Sequence, residues 1–147
     1  MLLVRVALSA AATGIALGEG DTRGLGQFAK SAGLTLAVTH GLKYAVDAER
    51  PNGGDRSFPS GHTSIAFCSA EFVRRRYGLA YGAPAYVLAS FVGCSRVEAE
   101  QHHIRDVVGG ALIGIAGSMI FTRSSDEVSP AVELDPKGPA AAISYVW

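Results

Sequence analysis

Residues 51–78 read PNGGDRSFPSGHTSIAFCSAEFVRRRYG, and the fold turns on how that stretch divides. Its first nine residues are crowded with Pro, Gly, Asn, Asp and Ser, the residues of turns, so no regular element survives there. At Ser60 the character changes. A serine before a periodic run of apolar and small residues is a helix N-cap, so a helix is expected to open at Ser60 or Gly61 and run to about Gly78. The free N–H groups of such a helix start, with the dipole behind them, suit an anion. Gly61 lets a ligand approach the backbone closely, and His62 in the first turn points at whatever binds there. An ordinary capped helix with an exposed histidine accounts for the stretch in isolation equally well.

Working outward, four more helical stretches flank this one. The first covers residues 2–18 and is broken by GEGDTRG at 18–24, where Asp21 or Thr22 can cap the next helix. The second is expected to end near Glu49, because the residue before Pro51 is pushed out of the helical region. A fourth is expected over 83–96 and a fifth over 102–121. The fold class is therefore all-α, a compact bundle of about five helices over residues 1–122. Residues 123–147 carry three of the prolines and read as an irregular tail, in which AAISYVW at 141–147 has the composition of a short strand.

With 13 basic and 13 acidic residues the 147-residue chain has no formal net charge, so no global field draws it to nucleic acid. Mean hydropathy is +0.23 and glycine is abundant, at 18 residues. Both lean toward closely packed helices in or near a membrane. The longest apolar run is 15 residues, 107–121, short of the roughly 18 of a membrane span. A soluble bundle and one half sunk in a bilayer both fit. The apolar start, MLLVRVALSAAATGIAL, reads as a signal peptide or as a helix of the domain. Cys68 and Cys94 lie in apolar runs without metal-ligand spacing and read as small buried hydrophobes.

Two further clusters carry chemistry. Lys43 and Arg50, seven apart, would stack on one face of the second helix, an arrangement that an anion between them would relieve. In the run 95–106, SRVEAEQHHIRD, His102 and Asp106 are four apart. On a helix the carboxylate could fix one ring nitrogen and leave the other as a nucleophile. A pair of solvated charges and a polar surface helix would explain each cluster taken alone.

Taken together, Lys43-x6-Arg50-Pro51, Pro59-Ser60-Gly61-His62 and Ser95-Arg96-x5-His102-x3-Asp106 fill every position of a three-part signature. The chain resembles the type-2 phosphatidic acid phosphatases, in the superfamily that includes bacterial acid phosphatases and vanadium haloperoxidases. The resemblance implies a phosphatase acting on a phosphomonoester, a phosphorylated envelope lipid such as phosphatidic acid or a small soluble phosphoester. It implies that Lys43, Arg50, Ser60, Gly61 and Arg96 hold phosphate and that His102 attacks phosphorus to form a phosphohistidine. Asp106 would orient His102, and His62 would pass protons to and from the leaving and attacking oxygens. No metal or other cofactor is implied, and no nucleic acid. Location in the cell envelope, with the site facing away from the cytoplasm, is implied as well.

The flank of His102 is more polar than lipid-handling relatives usually show, which leaves the leaving group open. A phosphotransferase would use the same cradle, differing only in whether water or an alcohol attacks the phosphohistidine. A zinc site from His62, His102, His103 and Asp106 would leave three cations unexplained. A phosphate-binding protein without catalysis would keep the cradle but not need every catalytic position.

Overall fold

The computed structural model describes residues 2–124, with side chains from residue 6 onward. The tail expected over 123–147, with its short strand, lies outside the described residues from 125 onward. Five helices follow in order: α1 Leu2–Gly18, α2 Thr22–Val46, α3 Gly61–Tyr77, α4 Leu79–Glu98 and α5 Ile104–Phe121. The all-α bundle is as the sequence implies. Helix α3 is its axis. It packs against all four others, which surround it in the order α1, α2, α5, α4.

Several ends differ from expectation, each for a local reason. Helix α2 stops at Val46, not Glu49, because Asp47 adopts a left-handed C-cap (φ 41°) and returns its N–H to the Lys43 carbonyl. Helix α4 begins at Leu79, ahead of the expected 83, and carries Pro84 inside its second turn. Helix α5 begins at Ile104, so His102 precedes it. Asp21 is the N-cap of α2, accepting from the Gly24 N–H at 2.8 Å. Cys68 is buried as expected, but Cys94 is exposed, and both are free thiols.

The interior is made of small and hydroxylated residues rather than bulky apolar ones. Ser31, Thr35 and Thr39 form the buried stripe of α2. Thr39 donates to Ser64 on α3 at 3.0 Å, and Ser31 meets Thr122 at the end of α5 at 3.4 Å, where Thr122 also pairs with Ser118 at 3.1 Å. Glycines of α5 let it lie directly on α3. A Cβ on Gly110 would stand 2.5 Å from the Ser60 carbonyl oxygen, and one on Gly114 would stand 2.1 Å from that of Ser64. Apolar clusters fill the side toward α1 and α4, around Leu8, Ala66, Ala70, Ala89 and Val92, and around Ala12, Phe28, Phe72 and Val73.

Large apolar side chains point outward instead: Val87 (70% exposed), Phe91 (58%), Leu112 (63%) and Ile120 (64%). Small residues between helices with bulky apolar ones outside is the pattern of helices packed in lipid, where burial from water does not drive association. Helix α5 is the one helix among the described residues long and apolar enough to cross a membrane.

At the end remote from Ser60, Arg76 donates to both Asp21 oxygens, at 2.6 and 2.7 Å, and to the Arg123 carbonyl at 3.0 Å. These guanidinium bonds hold the Asp21 carboxyl down at about 2. The clamp fastens the α1–α2 turn and the end of α5 to the end of α3.

The α3–α5 contact predicts that Gly114→Ala destabilises the protein by about 1–3 kcal/mol, the usual cost of overpacking. Gly33→Ala, where a Cβ meets nothing within 4 Å, should leave stability unchanged or slightly raised. Thermal unfolding in detergent, followed by circular dichroism, compares the two.

Candidate active site

The three signature segments converge at the end of the bundle where α3 begins. Lys43 lies in the last turn of α2. Because that helix stops at Val46, Arg50 does not sit two turns along the same face; it lies in the turn that follows. That turn is closed by the Arg50 N–H on the Gly54 carbonyl at 2.7 Å and the Gly53 N–H on the Arg50 carbonyl at 3.0 Å. Both cations are held by neutral acceptors. Lys43 Nζ donates to the carbonyls of Arg56 (2.7 Å) and Ser57 (3.4 Å). Arg50 donates to the Asp55 carbonyl (3.0 Å) and to Gln101 Oε1 (3.0 Å). An ammonium has three N–H donors and a guanidinium five, so each keeps donors for an anion.

Ser60 caps α3 as expected. Its hydroxyl oxygen accepts from Thr63 Oγ1 at 2.9 Å and from the Thr63 N–H at 3.5 Å. It is fully buried. Gly61 follows with Lys43 close by, since a Cβ there would lie 3.8 Å from Lys43 Cε. The first and second segments therefore meet at the α3 N-terminus. His62 is half-buried in the first turn of the same helix.

The third segment is a chain reversal. Arg96 stands near the end of α4, and its carbonyl accepts from the N–H groups of Gln101 (3.1 Å) and His102 (3.2 Å). Glu100 takes a left-handed φ of 54° within the turn. That reversal delivers His102, 3% exposed, into the protein two residues ahead of α5. Asp106, fully buried, accepts from the His103 N–H at 2.8 Å, and its carbonyl accepts from the Ser60 N–H at 2.9 Å.

The expected direct bond between His102 and Asp106 is not made. With His102 off the helix, Nδ1 lies 3.7 Å from Asp106 Oδ2, beyond hydrogen-bond range. Ser57 stands between them. Its hydroxyl donates to Asp106 Oδ2 and lies 3.5 Å from His102 Nδ1. Neither Ser57 nor Gln101 is marked by the sequence signature. Ser57 sits in a loop where serine needs no special reason, and Gln101 reads as part of a polar flank. Among the described residues no group of three His, Cys, Asp or Glu side chains is placed to hold a metal ion, so the zinc reading has no ligand set there.

Burial lowers the His102 pKa most, and the charges of Lys43 and Arg50 lower it further, to about 4 against the ordinary 6.5. Asp106 and the Ser57 backbone pull the other way. The ring is neutral at physiological pH, as a nucleophile must be. An open cavity of about 480 Å³ lies beside it, lined by Pro51, Val97, His102, His103, Ile104 and Arg105.

A profile described as the PAP2 superfamily matches residues 39–129, which include all three segments. The lipid A 4'-phosphatase of Helicobacter pylori is 33% identical over 90% of this chain and 77% of that protein. A lipid A 1-phosphatase of Porphyromonas gingivalis is 35% identical over 66% of this chain but only 24% of its own length. The crystal structure of Aquifex aeolicus LpxE superposes with a TM-score of 0.65 at 25% identity, covering 81% of this chain and 84% of that one.

Two pH effects follow from the buried imidazole. Between about pH 6.5 and 4 the unfolded chain takes up a proton that the folded ring refuses, so this site costs stability as pH falls through that window and nothing above it. Lys43→Met removes one lowering charge, so the His102 pKa should rise from about 4 toward 6.5, read by NMR titration of the ring. An unchanged or lower value would contradict the placement of Lys43 beside His102.

Proposed function

The chain belongs to the PAP2 superfamily and is a phosphoric monoester hydrolase, and we propose that it removes a phosphate from a lipid of the lipid A class through a phosphohistidine on His102. The observation that carries the catalytic assignment is the convergence of Lys43, Arg50, a helix N-terminus and one buried, neutral histidine from separate segments between residues 43 and 106. The lipid rests on two supports: the phosphorylated lipids handled by the relatives, and a bundle whose bulky apolar residues face outward along α4 and α5.

In this reading Lys43, Arg50, Arg96 and the Gly61 N–H hold the phosphate oxygens, and the Ser60 hydroxyl can add a donor while its oxygen caps α3. These charges meet the negative charge of the equatorial oxygens in the transition state, and carbonyls hold Lys43 and Arg50 in place beforehand. His102 Nε2 forms the bond to phosphorus as the bond to the leaving oxygen breaks, and His62 gives that oxygen its proton. A water then attacks phosphorus as the P–N bond breaks, and His62 takes the water's proton. Positioned proton transfer contributes roughly 10²–10⁴ in rate.

The protein lies in the envelope membrane in this reading, with its site facing away from the cytoplasm. Arg74, Arg75 and Arg76 close α3 at the opposite end, with Arg23 and Arg123 nearby, as the positive-inside tendency requires. The site end has cations too: Lys43, Arg50 and Arg96 are committed to substrate, Arg56 pairs with Asp47, and Arg105 faces Asp106. An Asn52→Cys protein lacking Cys94 should be labelled by an impermeant maleimide from the periplasmic side; labelling only from the cytoplasmic side would reverse the orientation.

Detergent-purified protein should release phosphate from lipid A with kcat/KM at least tenfold above that for a water-soluble sugar phosphate. His102→Ala should lower kcat on either substrate by roughly 10⁴-fold or more, as loss of a nucleophile does. Equal or better turnover of the soluble ester would overturn the lipid assignment.

A further inference from the structure

Ser57 has no part in the steps above, yet it touches all three segments of the site. Its carbonyl accepts from Lys43, its hydroxyl lies between His102 and Asp106, and three residues on in the chain is the cap of α3. It is fully buried, and its own N–H is fastened to the Ala48 carbonyl at 2.7 Å. That anchoring fixes where the hydroxyl points.

We propose that Ser57 is a positioning residue of the reaction: its hydroxyl links Asp106 to His102 and fixes the ring tautomer that leaves Nε2 free to attack phosphorus. The inference rests on His102 being the nucleophile. An ionised carboxylate only accepts, so the hydrogen between Ser57 and Asp106 belongs to Ser57. The lone pairs of Oγ are then left for the ring, and Nδ1 must carry a hydrogen to use them. In a neutral imidazole that places the lone pair on Nε2. The chain reads Nδ1–H to Oγ, then Oγ–H to Oδ2. Without the Ser57 hydroxyl, Nδ1 is 3.7 Å from Asp106 and keeps only the Ser57 backbone as a partner, so the tautomer is held less firmly.

The same link serves the intermediate. Once Nε2 is bonded to phosphorus the ring carries positive charge, and its Nδ1–H still donates to Ser57, which passes the influence of the carboxylate to the ring. No proton leaves Ser57 at any step, and no bond other than P–O and P–N is made or broken. The charged groups around the ring are Lys43 at the end of α2, Arg50 in the following turn, and Asp106 on α5. Arg105 Nε faces the other carboxylate oxygen, Asp106 Oδ1, at 3.7 Å without bonding it.

The test uses the full chain in detergent, with Ser57→Ala, Ser57→Thr and Asp106→Asn, and with lipid A and p-nitrophenyl phosphate as substrates. Ser57→Ala should lower kcat about 10–100-fold, the loss seen when a partner that orients a metal-ligating imidazole is removed, with KM changed less than threefold. Ser57→Thr, which keeps the hydroxyl, should recover most of it. Nitrogen NMR of the ring should show Nδ1–H with a bare Nε2 in the wild type and a mixture of tautomers in Ser57→Ala. In the Asp106→Asn background the same substitution should cost little further, because both act along one chain.

A folded Ser57→Ala protein with kcat within threefold and the tautomer unchanged would overturn the proposal. So would a fall in kcat that is additive with Asp106→Asn. If Ser57→Ala does not fold, Ser57→Cys, similar in size but a weak donor and acceptor, carries the same comparison. The underlying reading fails separately, through an active His102→Ala, whereas the tautomer measurement needs no turnover.

Discussion

Asp106 is a carboxylate with no exposed surface, and the three parts of the site are arranged around the donors it requires. Its side chain accepts from Ser57 and from the His103 N–H, and its carbonyl accepts from the Ser60 N–H. A buried charge without such partners would cost several kcal/mol. The bonds that Asp106 accepts at Oδ2 and at its carbonyl therefore tie the loop before α3, the cap of α3 and the turn before α5 to one another, while Oδ1 has no hydrogen-bond partner. Lys43 joins the same group, since its ammonium donates to the carbonyls of Arg56 and Ser57 in that loop.

The helices make this arrangement reachable. Ser60 can present its N–H to Asp106 because α5 lies almost directly on α3, with glycine at 110 where any side chain would strike the Ser60 carbonyl. Gly109 likewise leaves room for the Phe58 ring, which would stand 2.5 Å from a Cβ there. The glycines that raise no suspicion as chemistry set the spacing on which the chemistry depends. The outward apolar faces of α4 and α5 are the other side of the same choice. With small residues spent inside, the bulky ones face outward, where lipid suits them and water does not.

Much of this was legible in the sequence. Five helices, the Asp21 and Ser60 caps, and the residues from Lys43 to Asp106 that the fold gathers at one end could be read from turn chemistry and motif spacing. The geometry within the site could not. A seven-residue spacing puts Lys43 and Arg50 on one helix face only if the helix continues, and the left-handed conformation at Asp47 ends it. A four-residue spacing brings His102 onto Asp106 only on a helix, and the turn through Glu100 keeps His102 off it. Ser57 and Gln101 escaped because their roles are tertiary. A serine in a turn-rich loop and a glutamine in a polar run are ordinary until the fold sets them beside Asp106 and Arg50. Part of the polar flank of His102 also gains a reason, since Gln101 Oε1 accepts from Arg50 at 3.0 Å.

The central claim is that the buried imidazole of His102 becomes covalently phosphorylated. Rapid acid-free quenching of the protein during turnover, followed by mass spectrometry of its peptides, tests it most directly. The account predicts an acid-labile phosphate on His102, formed as fast as or faster than turnover and absent from His102→Ala. Phosphate on another residue, or undiminished turnover by His102→Ala, would contradict it.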